Sequence, residues 1–323
     1  MAKVQTVTGM INPSEVDISL MHEHLWFHLL GWESDPSQAQ TYDREAMLQK
    51  IGGKMKALRA AGASLFVDAT PIGIRSDVDG MVRISEESGV YVVASTGFIY
   101  SLAIPFYFHE WTVDQFENLF VHELTQGMGT SSVRAGIIKV GTWREHMTEL
   151  EKRVFRAAAR ASKRTGAAIT THVSDLIQSP IGIISAREQM EILLDEEGVD
   201  PTRVIIGHCD TIMVSELQLE IAKRGVYVAM DHCCDEVGFV YSTPDDNRVK
   251  WIIALINAGY ANQVLISTDH IGYGIGHFFN RELHFDYSTL LTKFVPMLCA
   301  SGVPNETVRN ILVDNPRRVL PMG

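Results

Sequence analysis

The sequence predicts an α/β chain folded as a (β/α)8 TIM barrel, and three observations carry that expectation. Short runs rich in Val, Ile and Thr alternate with longer helical patterns from one end of the chain to the other, as parallel strands joined by crossover helices require. The runs number eight, which is the strand count of a barrel. The first run leads into MHEHLWFHLL, not into the glycine-rich phosphate loop that opens a doubly wound sheet, the other α/β arrangement to be weighed.

The strands are expected at Asp17–His24, Ser64–Asp68, Val90–Thr96, Ala135–Gly141, Ala167–His172, Arg203–His208, Val226–Asp231 and Val264–Asp269. The helices between them carry their own start and stop signals. Thr112 followed by Gln115 reads as a capping box, Phe116, Leu119, Phe120 and Leu124 make one apolar face, and Gly127 ends the pattern. Thr148 with Glu151 repeats the device ahead of an alanine-rich helix that ends near Gly166. Other helices are expected to stop near Gly62, Gly225 and Gly259, each shortly before the next strand. With no low-complexity segment and no proline-rich linker, residues 1–323 are read as one domain.

Composition narrows the class of partner. A chain of 323 residues with 46% hydrophobic content buries a large core. The formal charge is −11 and there is no basic stretch to neutralise a phosphate backbone, so nucleic acid is not expected as a partner. The N-terminal MAKVQTVTGMINPSE is not a secretory signal, and no run reaches the ~18 apolar residues of a membrane span. A cytoplasmic location is expected. Four cysteines, Cys209, Cys233, Cys234 and Cys299, form neither a disulfide framework nor a CxxC pair. The adjacent Cys233 and Cys234 point in opposite directions at a strand end and are read as structural.

The chemistry gathers at strand ends. His22-Glu23-His24 closes the first strand, and alternation puts the two imidazoles on one face with Glu23 on the other. Alone, such a pair also fits two hydrogen-bonded core histidines. His172, His208 and Asp269 end the fifth, sixth and eighth runs, however, and the carboxyl ends of barrel strands converge on one face. Four imidazoles and a carboxylate suit zinc and its divalent neighbours. Lys139, in AGIIKVG, is the odd member: an ammonium facing cations is repelled, so this lysine is surface-facing, deprotonated or chemically altered. A neutral amine can add carbon dioxide to become a carbamate, or it can form a Schiff base as in class I aldolases. A metal-free aldolase and a non-catalytic binding barrel therefore stand beside a metal-dependent enzyme.

HEHL, IIKVGT, TTH, IIGHCD, ISTDH and the closing DNPRRVL together resemble the phosphotriesterase family of the amidohydrolase superfamily, in order and over essentially the whole chain. The resemblance implies two divalent ions: His22, His24 and Asp269 on one, His172 and His208 on the other, with N6-carboxylysine at Lys139 and a hydroxide bridging both. It also implies a homodimer. Two cations ~3.5–4 Å apart lower the pKa of shared water, and Asp269 is expected to carry the proton as acid–base residue.

The stretch FIYSLAIPFYFHEWTVDQF resembles the phosphotriesterase-like lactonases, which implies a small-molecule lactone or carboxylic ester as substrate, with phosphotriester hydrolysis as the alternative. The match is partial. Ile99 stands where those lactonases carry tyrosine, with Tyr100 one position later, and His232 stands where they carry arginine, as in the classical phosphotriesterases. Those enzymes in turn have a proton-relay aspartate where this chain has Thr211. Tyr100, His232, Trp26 and Phe27 follow barrel strands and are expected to line an apolar pocket or to pack over the barrel mouth.

Overall fold

The computed structural model of the chain describes residues 2–36, 42–75, 77–173, 181–211, 215–234, 243–276, 281–282 and 285–323. Two short strands, β1 (Val4–Thr6) and β2 (Gly9–Ile11), form an antiparallel hairpin outside the expected set. Three-residue strands are too short to show a period in sequence. The hairpin is tied to the main sheet by Val7 N, which donates to Val92 O at 2.8 Å.

The eight expected runs all become strands: β3 (Ser19–His28), β4 (Leu65–Asp68), β5 (Tyr91–Phe98), β6 (Ile137–Gly141), β7 (Ile169–His172), β8 (Val204–Ile206), β9 (Tyr227–Met230) and β10 (Val264–Ile266). Each pairs in parallel with its neighbour in the chain. A further strand, β11 (Ile271–Ile275), lies parallel to β3 on its other side, and β12 (Arg281–Glu282) runs antiparallel to β11.

This ninth parallel strand is the continuation of the eighth. The chain passes from β10 through residues 267–270 into β11, so the sheet curls until its last segment reaches its first. Asp269 N donates to His22 O (3.1 Å) and His24 N donates to His270 O (2.9 Å), which closes the ring. The expected run Val264–Asp269 is thus broken after Ile266, because Asp269 has φ 52°, a left-handed conformation that a ladder cannot continue through. The first strand, by contrast, starts two residues later than expected and runs four residues past His24.

Period-2 alternation sorts the strand side chains into two layers. Met21, Leu65, Val67, Val93, Ile137, Ile205 and Leu265 form the inner cluster, closed at one end by Val4, Val16, Val319 and Leu320. Leu20, Phe66, Val92, Ile138, Ile169, Val204 and Ile266 face outward into the larger cluster shared with the helices. Each fully enclosed aliphatic side chain contributes roughly 1.5–3 kcal/mol. Because both faces are covered, the strands read in sequence as continuous apolar runs.

Both expected capping boxes are present, Thr112 with Gln115 opening Val113–Thr125 and Thr148 with Glu151 opening Glu149–Thr165. The neighbouring helix Arg44–Ala60 is capped by the Asp43 carboxylate, which accepts from Ala46 N at 3.0 Å. The helices end before Gly62, Gly166, Gly225 and Gly259, as read from sequence. Among the described residues no helix is long and apolar enough to cross a membrane.

Candidate metal centre

Six side chains expected at strand ends do meet. β3 supplies His22 and His24, β6 supplies Lys139 and β7 supplies His172, while His208 and Asp269 lie just beyond β8 and β10. Lys139 is fully enclosed, with Nζ 2.9 Å from His22 Nε2 and 3.4 Å from the Thr171 carbonyl oxygen. His24 Nε2 lies 2.9 Å from Asp269 Oδ1, and His22 Nε2 lies 3.5 Å from the same oxygen. His208 Nε2 and His172 Nδ1 approach to 2.7 Å. The lysine is therefore buried inside the cluster, which removes the surface-facing alternative.

Local backbone geometry brings these groups close. Gly97 of β5 has φ 101°, and a Cβ there would lie 2.1 Å from the Lys139 carbonyl oxygen. Gly207 is required for a similar reason, since a Cβ would lie 2.1 Å from Thr171 O. His208 (φ 56°) and Asp269 (φ 52°) sit in left-handed backbone, at a cost of roughly 1–2 kcal/mol each. His208 is held by its own N–H, which donates to Asp231 Oδ1 at 2.8 Å. Asp269 is held by Glu23, the residue between the two histidines. Its carboxyl group accepts from Thr268 N (2.8 Å), Thr268 Oγ1 (2.6 Å), Ser267 Oγ (2.8 Å) and His270 N (2.9 Å), on both sides of Asp269. Burial pushes the Glu23 carboxyl up to about 8, and these four donors oppose the shift.

The outer nitrogens of three rings have fixed partners, which aims the inner ones at the shared space. His22 Nδ1 lies 2.7 Å from Asp231 Oδ2, His208 Nδ1 lies 3.0 Å from Asp231 Oδ1, and His24 Nδ1 lies 2.7 Å from Thr70 Oγ1. Thr70 is set in turn by Asp68, whose carboxylate accepts from Thr70 N and Leu25 N. Burial, then the Lys139 charge, lowers His22 to about 4; burial, then His208 and Lys139, takes His172 well below its ordinary value. Neutral imidazoles are the form that binds a cation. Burial acts to raise Asp231, but His208 and His22 outweigh it and hold its carboxyl well below the usual carboxylate range. His22, His24 and Asp269 have ligand atoms within 4.8 Å of one another, as do His22, His208 and Asp231. His22, His24 and Asp269 thus fit a divalent cation in both chemistry and spacing, whereas His172 belongs to no such group among the described residues.

His232 joins the cluster through the carboxylates. Its Nε2 is 3.3 Å from Asp269 Oδ2, its Nδ1 is 3.4 Å from Asp210 Oδ1, and its backbone N–H donates to Asp210 Oδ2 at 2.9 Å. Burial lowers His232, but Asp210 and Asp269 outweigh burial and raise it well above its ordinary value. Asp210 is completed by Arg248, a buried guanidinium whose Nε donates to Asp210 Oδ2 at 2.6 Å. Spacing alone puts Thr211 at the position of the relay aspartate of the classical enzymes, whereas the carboxylate that meets His232 is Asp210, one residue earlier. The Thr211 hydroxyl instead donates to His208 O at 2.8 Å. Asp231 was legible, since it ends an expected strand as the ligands do; Arg248 carried no local signal.

Tyr100 is half-buried beside the centre, its ring centroid 5.6 Å from that of His172 and 4.7 Å from that of Trp143. Trp26 is not placed at the mouth. Because β3 continues to His28, Trp26 lies within the strand opposite Tyr273 of β11, and its fully enclosed ring belongs to the core. Phe27 is the residue that packs with Tyr100, against Ile74, Ile99 and Ala103. Cys233 and Cys234 diverge as expected, with Cys233 Sγ directed to Met230 O and Cys234 Sγ to Thr289 O.

Comparison with known proteins agrees with this geometry. The chain is 30% identical to a phosphotriesterase homology protein of Mycobacterium tuberculosis, over 99% of this chain and 98% of the relative. It is 27% identical to the aryldialkylphosphatase of Saccharolobus solfataricus, over 95% and 96%. Its fold superimposes on a mutant of the Deinococcus radiodurans PTE-like lactonase with a TM-score of 0.87 at 28% identity, covering 98% of this chain and 99% of that one. The phosphotriesterase family model matches residues 2–320. With a barrel, a buried lysine among four histidines and relatives that are hydrolases along its whole length, this chain is a hydrolase and belongs to the phosphotriesterase family.

Proposed function

We propose that this hydrolase cleaves lactones or other carboxylic esters, using two divalent ions, most suitably zinc, held by His22, His24 and Asp269 and by His172 and His208, with Lys139 carbamylated between them. The observation that carries the reading is Lys139 itself, a fully enclosed amine 2.9 Å from an imidazole nitrogen in a nest of metal-binding groups. As N6-carboxylysine it would present one negative charge shared by two oxygens, which offsets charge that an ammonium there would increase. When bound, the ions supply a hydroxide at neutral pH and polarise the acyl oxygen under attack.

The chain's own residues handle the proton. Asp269 Oδ2 accepts it and returns it to the leaving oxygen, while His232 Nε2, 3.3 Å away and seated on Asp210 through Nδ1, orients that carboxylate. Asp210 stays ionised against Arg248. Tyr100 and Phe27, both packed on Ile74, Ile99 and Ala103, present an apolar wall to the acyl or leaving group. The FIYSLAIPFYF stretch that leaves β5 and the PTE-like lactonase neighbour favour lactones and esters. His232 and the aryldialkylphosphatase relative favour phosphotriester hydrolysis as the second reading, since the same attack serves a phosphorus centre.

Metal analysis should find about two divalent ions per chain. A loaded protein holding one ion, with His172 and His208 both away from it, would overturn the binuclear centre. A screen of lactones, alkanoate esters, amides and phosphotriesters on the metal-loaded protein tests the substrate class, and kcat/KM highest for phosphotriesters would move the assignment to the second reading. His232→Ala should retain metal, reorder the substrates, and lower kcat about tenfold or more where the leaving group is poor. Loss of metal in parallel with every activity would place His232 among the ligands.

A further inference from the structure

Glu151 makes contacts that its helix-capping role does not require. It is the third residue of helix Glu149–Thr165 and is buried. Oε2 serves the cap, accepting from Thr148 N (2.8 Å) and Thr148 Oγ1 (3.0 Å). Oε1 faces away from the cap and accepts from Ser101 N (3.0 Å) and Trp143 N (3.1 Å). Ser101 follows β5 and Trp143 follows β6, so one carboxylate ties together the loops that leave two adjacent barrel strands. Another capping box manages with a single acceptor: Gln115 Oε1 takes both Thr112 N (2.9 Å) and Thr112 Oγ1 (3.2 Å). The second oxygen of Glu151 therefore does something a cap does not need.

What it anchors is the backbone that carries two aromatic side chains. Tyr100 immediately precedes Ser101, and the rings of Tyr100 and Trp143 lie 4.7 Å apart, with Tyr100 against His172. We propose that Glu151 is a positioning residue for substrate, setting Tyr100 and Trp143 as one aromatic wall that receives the apolar acyl chain of an ester. The inference rests on the ester reading above for the identity of what is received. The wall itself is a property of the folded chain.

The test compares Glu151→Ala with Thr148→Val in the metal-loaded full-length protein. Both weaken the start of the same helix, and only Glu151→Ala removes the bonds to the loops. The near-ultraviolet circular dichroism of the ring pair, taken as wild type minus Trp143→Phe, should fall by about half or more in Glu151→Ala and stay unchanged in Thr148→Val. KM for para-nitrophenyl octanoate should rise about tenfold in Glu151→Ala, with KM for para-nitrophenyl acetate, kcat and metal content within about twofold of wild type. Equal changes in both variants, or none in Glu151→Ala, would overturn the inference. If the wild type turns over no ester, the spectral loss still supports the positioning of the wall and the failure falls on the ester reading. Should Glu151→Ala not fold, Glu151→Gln takes its place. Turned like Gln115, its amide caps the helix and presents NH2 to two N–H donors, so the same spectral loss and KM split are expected, and a wild-type spectrum and KM would overturn the proposal.

Discussion

Lys139→Ala should lose metal and activity together, with kcat/KM falling on the order of 10³-fold or more, because on the carbamate reading proposed above it removes the anion that joins the two cations. The lysine is fully enclosed, and its amine lies near His22 Nε2 and Thr171 O. Truncation to alanine leaves space the size of a small carboxylate. Acetate, propionate or bicarbonate should accordingly restore part of the activity when metal is supplied. A Schiff-base lysine gives a different result, since a carboxylate cannot form an imine, and borohydride in the presence of substrate would then trap the wild-type lysine. Full metal content with near wild-type turnover in Lys139→Ala, or an unmodified amine standing away from both ions in loaded wild type, would end the carbamate assignment.

Asp269→Asn should keep the fold and much of the metal while hydrolysis of a substrate with a poor leaving group falls by about 10²–10⁴-fold, the usual contribution of a general acid–base group. Asparagine matches the shape, and the left-handed backbone at this position tolerates it. The restraint on that backbone also survives, because Glu23 bonds to Thr268 and His270, not to the Asp269 side chain. What is lost is the ability of Oδ2 to take up and return a proton. The defect should shrink as the leaving group improves. Turnover within a few-fold of wild type on a poor leaving group, at wild-type metal content, would remove Asp269 from the proton path.

Local rules explain what was legible and what was not. The two capping boxes and the glycines that end the helices were readable because their partners lie within a few residues in the chain. His22 and His24 were readable as a pair because strand alternation alone puts them on one face. Trp26 misled because the same rule gives no sign of how far a strand runs, and four further residues of β3 carried it into the core.

By itself, the sequence determined the barrel, the order of its strands and the six groups that converge, since each depends on periodicity and on the way parallel strands present their carboxyl ends to one side. Tertiary structure alone decided how those groups are held. The eighth strand gives way to the left-handed turn at Asp269, which holds because Glu23 collects the flanking donors, Thr268 among them at a separation of 245 positions. Asp231 serves two histidines from separate strands, and Asp210 reaches His232 only because Arg248 balances it from a third element. Such pairings depend on distances across the ring of strands, and no local pattern of residues encodes them.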